Sequence, residues 1–269
     1  MTARTRIPFD ASVVAPWRLG DGPRAVLLLH GFAGTPPELR RLGEHLAGQG
    51  WHCYAPALPG HADIPEALDR TTWQDWADAA LSAFEELATT REVVAVAGQS
   101  MGAALALHVA ATDQRTAAVA SLAAPLWLNG FMQHFIPAIR HLVRWHRPVE
   151  EVDLWDPTAV EELWSYGVRS THAINELKSM LAVVRDEVAQ IRAPVLVLHG
   201  GRDSMVDPRC ADELQERLVC SANVEKHIYP RSGHAISVDI DRDDVNDRVL
   251  QWFARHAALP ETVRLSATG

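Results

Sequence analysis

Five residues, Gly98-Gln99-Ser100-Met101-Gly102, constrain this chain more than any other stretch. The apolar run Val93-Val94-Ala95-Val96-Ala97 precedes them, and a helix-forming run from Ala103 to Ala111 follows. Strand, tight turn and helix therefore meet at one serine. A chance Gly/Ser-rich turn would give the same five letters, but the flanks set this one apart. The backbone of such a turn is strained, and strand and helix pass close together. Side chains at 98 or 102 would clash there. What the turn gains is a hydroxyl held clear of the sheet above a helix N-terminus, which is the geometry of a nucleophile elbow.

The same rhythm runs through most of the chain. Apolar strands are predicted at 25–30, 51–56, 93–97, 117–122, 195–199 and 224–229. Helical patterns separate them at 36–49, 73–87, 101–111, 207–219 and 241–256. In the second of these, Trp73, Trp76, Ala80, Phe84 and Leu87 share an inward face, and Thr72 with Asp75 forms an N-cap and first-turn acid. Strands apolar on both faces and joined by helices predict a mainly parallel sheet covered on both sides. Residues 123–190 break the pattern. They hold little strand signal and two helical stretches, about 157–165 and 170–189. We read 1–122 and 191–258 as the core, 123–190 as a helical cap over one end of the sheet, and 259–269 as a flexible C-terminal tail.

A serine hydroxyl is a poor nucleophile by itself. It needs a base, and the base needs an orienter. The order Ser, Asp, His along the chain is the order such a site uses on an α/β sheet. Asp203 follows the strand 195–199 through Gly200-Gly201-Arg202, at the carboxyl edge where open α/β sheets hold ligands. Its rival Asp207 precedes Pro208 and reads as a helix cap. Of 13 histidines, His234 stands in Ser232-Gly233-His234 on the loop after the last strand, where the glycine lets the loop aim the ring. His30, His61, His108, His199 and His227 compete with it. His199 and His227 lie within strands and read as satisfied structural groups, while His108 falls on the far side of the elbow helix. His30 reads as a brace for the glycine-bearing loop beside it.

An oxyanion needs preorganised donors. Met101, at the start of the elbow helix, supplies one backbone N–H. The loop His30-Gly31-Phe32-Ala33-Gly34 supplies the second, assigned to Phe32, because glycines at 31 and 34 let the backbone approach. Gly31 and Gln99 would border bound substrate. Leu126, Trp127, Phe131, Phe135 and Ile136, from the cap, would offer it apolar surface. The competing reading of those apolar residues is cap-to-core packing.

With these pieces placed, the chain resembles the α/β-hydrolase superfamily, and within it the small bacterial carboxylesterases related to monoacylglycerol lipases. The likeness runs from about residue 24 to 256. It rests on His30-Gly31-Phe32-Ala33-Gly34-Thr35, on Ala57-Leu58-Pro59-Gly60-His61, on the elbow, on Ala193 to Gly200 with Asp203, and on Ser232-Gly233-His234. It implies an α/β-hydrolase fold with a mainly parallel sheet flanked by helices. In it the small helical cap follows the sixth strand and 224–229 is the eighth. It also implies acyl-ester hydrolysis through a serine acyl-enzyme. Two positions depart from the pattern: alanine stands at 103 where many relatives carry glycine, and glutamine at 99 where many carry an apolar residue.

The expected activity is that of a carboxylesterase on short- to medium-chain esters. The alternatives are a monoacylglycerol lipase, another serine α/β-hydrolase (lactonase, thioesterase or C–C hydrolase), and a non-catalytic ligand-binding protein on the same fold. An epoxide or haloalkane hydrolase would want aspartate at 100. The expected partner is a small-molecule ester, with no metal and no cofactor. A formal net charge of −9 without a basic patch argues against nucleic acid. The three cysteines, Cys53, Cys210 and Cys220, form no C-x-x-C pair and no metal-ligand spacing. No apolar run approaches the length of a membrane span, and the N-terminus leads into no signal-like segment. The expectation is a soluble cytoplasmic protein without integral membrane association, either a monomer or a homodimer.

Overall fold

The computed structural model describes residues 11–129, 143–146, 153–165 and 168–259. Its strands, in chain order, are β1 (Trp17–Leu19), β2 (Arg24–Leu29), β3 (Trp51–Ala55), β4 (Val93–Gln99), β5 (Thr116–Leu122), β6 (Trp145–His146), β7 (Arg169–Ser170), β8 (Val195–Gly200) and β9 (Val224–Tyr229). Seven of them form one sheet in the order β1-β3-β2-β4-β5-β8-β9. Only β1 runs antiparallel to its neighbour. This is the α/β-hydrolase arrangement expected from the sequence. The strand count differs by one. Among the described residues a single strand precedes β2, so Thr116–Leu122 is the fifth strand and Val224–Tyr229 the seventh of the main sheet. Residues 1–10 lie outside the described range.

The helices are α1 (Arg40–Ala47), α2 (Pro65–Leu68), α3 (Trp73–Thr90), α4 (Met101–Thr112), α5 (Thr171–Glu187), α6 (Arg209–Arg217) and α7 (Arg242–His256). They divide between the two faces of the sheet. Leu27 and Leu29 of β2 face a core shared with α3, α4, α5 and α6, while Val26 and Leu28 face one shared with α1 and α7. The alternation follows from the two-residue period of a strand. Helix α4 is apolar all round, and every residue from Met101 to Ala110 is buried. A helix of that composition must be covered on every side. Here the sheet lies beneath α4, and α3 and α5 pack against it. Each fully buried Leu or Val of this helix contributes roughly 2 kcal/mol.

Local signals explain most boundaries. Thr72 and Asp75 form a complete capping box at the start of α3, with Asp75 accepting the Thr72 N–H at 2.7 Å. Trp73 is only half-buried, at the rim of the core. Ser170 caps α5 through a 3.0 Å bond from the Ala173 N–H. Two expectations shift. The stretch 157–165 holds a single 3-10 turn, Ala159–Glu162, rather than a helix. Helix α6 begins after Pro208, so Asp207 sits one place before the cap and accepts the Arg209 N–H at 2.9 Å. Residues 260–269, most of the expected tail, lie outside the described range. None of the helices among the described residues is long and apolar enough to cross a membrane.

Candidate active site

Ser100 stands between β4 and α4 with φ 57° and ψ −119°. A non-glycine residue there is strained, and such strain persists only where its surroundings impose it. The elbow glycines show how tight those surroundings are. A Cβ on Gly102 would lie 1.9 Å from the Leu29 carbonyl oxygen, and one on Gly98 would lie 2.1 Å from the Gly102 oxygen. Both contacts are with backbone, which cannot step aside. A serine at the start of a helix ordinarily turns its hydroxyl back onto the first-turn amides. Ser100 makes no such bond. Its Oγ lies 2.8 Å from His234 Nε2 instead.

The histidine is held from several sides. His234 Nδ1 donates to Asp203 Oδ2 at 2.7 Å. Its backbone carbonyl accepts the Gln99 side-chain amide at 2.8 Å, and its backbone N–H donates to the Asp153 carbonyl at 3.2 Å. Asp153 also accepts the Ser204 N–H through Oδ2 at 2.7 Å. Asp239, fully buried, accepts the N–H of Gly233 at 2.7 Å and those of Trp155 and Asp156 at 2.8 Å each. The segment 153–156 is thereby fastened to both the histidine loop and the aspartate turn.

Asp203 is buried at the end of β8. Its Oδ1 accepts the Met205 and Val206 N–H groups at 2.9 and 2.8 Å. Its Oδ2 meets His234 and, at 3.0 Å, His199 Nε2. Burial pushes this carboxyl up. The attraction of His234 and the hydrogen bonds from His199 and His234 outweigh it and hold the group well below the usual carboxylate range. Asp203 is therefore ionised at neutral pH. Asp207, its rival in the sequence, pairs with Arg209.

The glycine-bearing loop after β2 lies against the serine. A Cβ on Gly31 would be 3.4 Å from Ser100 Cβ. His30 braces this loop: Nε2 accepts the Leu58 N–H at 3.1 Å, and Nδ1–H donates to the Gly31 carbonyl at 3.0 Å. Burial lowers its pKa from 6.5 to about 4, the Gly31 bond opposing only in part, so the ring is neutral. Beneath the loop is a buried carboxyl, Glu38, which accepts the Gly31 N–H. Burial pushes it up from 4.5 to about 8, against the opposing pull of that bond.

Glu38 gives the fold a pH dependence with a definite sign. Its folded pKa is raised, so the folded state keeps a proton that the unfolded chain has released. The stability this confers is complete below about pH 4.5 and is lost as pH rises to about 8. Glu38→Gln keeps the shape and removes the titration. In thermal melts between about pH 5 and pH 8, the parent is expected to lose a few kcal/mol that the variant retains. Parallel melting curves for the two would refute this account of Glu38.

The remaining expected site residues divide. Gln99 was expected beside substrate, but it is 2% exposed and its amide is held by the His234 carbonyl, so its contact is with the histidine loop. Leu126, also 2% exposed, packs into the core, and its N–H reaches Cys210 Sγ at 3.5 Å. For Leu126 the packing reading is therefore the one the structure shows. Trp127 is half-buried against the same core. Phe131, Phe135 and Ile136 lie outside the described residues. Sequence reasoning missed His199, Glu38, Asp153 and Asp239. Only His199 carried a signal, its four-residue spacing to Asp203. Among the described residues no three His, Cys, Asp or Glu side chains group at metal-ligand spacing.

Fold, elbow and the Ser100–His234–Asp203 line together define an α/β-hydrolase of the serine type. Known proteins agree. Residues 21–241 match the family model Hydrolase_4, described as "Serine aminopeptidase, S33", and the chain belongs to that family of serine hydrolases. A thermostable monoacylglycerol lipase of Bacillus sp. (strain H-257) is 30% identical over 253 residues, 90% of this chain and 95% of that protein. A carboxylesterase of Bacillus subtilis (strain 168) is 26% identical over 242 residues, 89% and 96% respectively. Among solved structures, one from the work on LipS and LipT, two metagenome-derived lipolytic enzymes, shares the fold with a TM-score of 0.85 at 24% identity. It covers 94% of this chain and 100% of that one. The monoacylglycerol lipase of Paleococcus ferrophilus does so with a TM-score of 0.78 at 20% identity, covering 90% and 98%.

Proposed function

We propose that this protein is a carboxylesterase cleaving short- to medium-chain carboxylic esters through a serine acyl-enzyme. The observation that carries the reading is the 2.8 Å approach of His234 Nε2 to Ser100 Oγ, with Asp203 at 2.7 Å behind the ring. The esterase and lipase names of the two Bacillus relatives support the choice of ester bonds.

In this reading Ser100 Oγ attacks the ester carbonyl while His234 Nε2 takes its proton. The carbonyl oxygen becomes an oxyanion held by the Met101 and Phe32 amides. Met101 opens α4, where a first-turn N–H has no acceptor within its helix. Gly31 is not the loop's donor, because its N–H is engaged by Glu38. The tetrahedral adduct collapses, and the alcohol leaves with the proton from His234. Water then attacks the acyl carbonyl, giving its proton to the same nitrogen. The acid departs and Ser100 Oγ recovers its proton. Asp203 stays ionised throughout and fixes the His234 tautomer with the proton on Nδ1.

The test is a panel of p-nitrophenyl esters of rising acyl length. Apolar contact worth about 0.8 kcal/mol per CH₂ is expected to raise kcat/KM about fourfold per added carbon over the first few carbons. The 30% identical relative favours a second reading, monoacylglycerol hydrolysis. Glycerol release from monoacylglycerols, at rates exceeding those on the matching p-nitrophenyl esters, would select it. Turnover of a lactone or a C–C substrate with none of any open-chain ester would overturn both.

A further inference from the structure

Two imidazoles, not one, approach the same oxygen of Asp203. His234 Nδ1 lies 2.7 Å from Oδ2 and His199 Nε2 lies 3.0 Å from it. His199 is the penultimate residue of β8, four places before Asp203, and is 1% exposed. Contact with a carboxylate puts its proton on Nε2. The other acceptor within reach, the Val206 carbonyl, is farther away at 3.4 Å. Since Oδ1 already takes the Met205 and Val206 amides, four donors surround one buried carboxylate. The polar partners of His199 Nε2 are Asp203 and Val206, while Ser100 Oγ bonds His234.

We propose that His199 is a positioning residue of the active site, whose Nε2–H fixes Asp203 Oδ2 and shares its charge with His234. The proposal rests on the esterase reading of Ser100, His234 and Asp203. Its physical content is a balance. A carboxylate with His234 as the only donor on Oδ2 stabilises the imidazolium more strongly, and the ring then gives up its proton to the leaving alcohol less readily. A second donor on the same oxygen tempers that attraction and also fixes the carboxylate plane. The titratable groups in contact with Asp203 are His199 and His234. Asp207 stands just before α6, paired with Arg209, and Asp153 reaches the same turn through the Ser204 N–H. The residue of β9 in register with His199 is the uncharged Ile228.

His199→Phe keeps the ring and removes the donor. His199→Gln keeps an N–H at similar reach. The phenylalanine variant is expected to fold and to label with a fluorophosphonate. Its kcat should fall about tenfold at nearly unchanged KM. The acid limb of its kcat/KM profile should move up by about half a pH unit. The glutamine variant should stay within about threefold of the parent, with the limb unmoved. If the phenylalanine variant does not fold, His199→Met provides the same comparison. Equal losses in the donor-keeping and donor-lacking variants, or a downward shift of the limb, would mean that the ring only fills space. A readout independent of turnover is the proton spectrum of the imidazoles. In it the parent should show protected N–H signals assigned to His199 Nε2 and His234 Nδ1, and the phenylalanine variant should lack the first. Absence of the His199 Nε2 signal from the parent would overturn the proposal even if esters are cleaved. Both assigned signals in a parent that neither cleaves esters nor labels at Ser100 would leave the charge sharing intact and sink the esterase reading.

Discussion

Ser100→Ala is expected to fold as the parent does and to lose about 10⁶-fold in kcat. The fold should tolerate the change because the hydroxyl caps no helix amide. Its hydrogen bond is to His234 Nε2. The strained φ of 57° is inherited unchanged by alanine, so the substitution adds little backbone cost. Without the hydroxyl no acyl-enzyme can form, and what remains is the weak rate that oxyanion donors and substrate binding give to water. Locating a fluorophosphonate adduct in the parent checks the assignment directly. The adduct should fall on Ser100 and be absent from the variant. Ester turnover persisting in the variant at more than a trace would place the chemistry on another side chain.

Asp203→Asn should cost about 10⁴-fold in kcat while leaving the fold nearly intact. The reason lies in the donors around the carboxylate. Met205 and Val206 both give N–H groups to Oδ1, so in the variant the amide oxygen must take that side. The amide nitrogen then faces His234 Nδ1 and His199 Nε2, where two donors already point. His234 can relieve this only by moving its proton to Nε2, and a protonated Nε2 cannot accept from Ser100 Oγ. The variant should regain part of its activity at alkaline pH, where serine ionisation no longer depends on that nitrogen. A variant with parent-like kcat at neutral pH would show that Asp203 does not set the tautomer, and would reopen the case for Asp207.

The sheet, its parallel sense and the elbow were legible because each depends on a local pattern. Double-faced apolar runs such as Val195 to Leu198 and small residues around Ser100 can be read within a few positions. Ser100, Asp203 and His234 were candidates because each sits on a turn after a recognisable strand, and the structure brings the three into one hydrogen-bonded line. What escaped depends on contacts between distant segments. Gln99 adjoins the elbow serine, yet its partner is 135 positions away. Asp239 joins segments 6 and 84 positions distant from it, and no periodicity marks such a residue. Glu38 falls in the first turn of the predicted helix 36–49, directly after Pro36-Pro37, where an acid is ordinarily exposed. Its burial arises from a loop folding over it, which is a tertiary fact. His199 shows a further limit: a strand residue with an inward side chain is ordinarily core, and only the turn that follows makes it a neighbour of the acid.

The fastening of 153–156 bears on how the site keeps its alignment. Through Asp153 and Asp239 this segment grips both loops that carry His234 and Asp203. Lifting it would tear the imidazole from its seat. Displacing 153–156 breaks the same bonds that seat the ring, so this segment and the Ser100–His234–Asp203 line hold or fail as one unit.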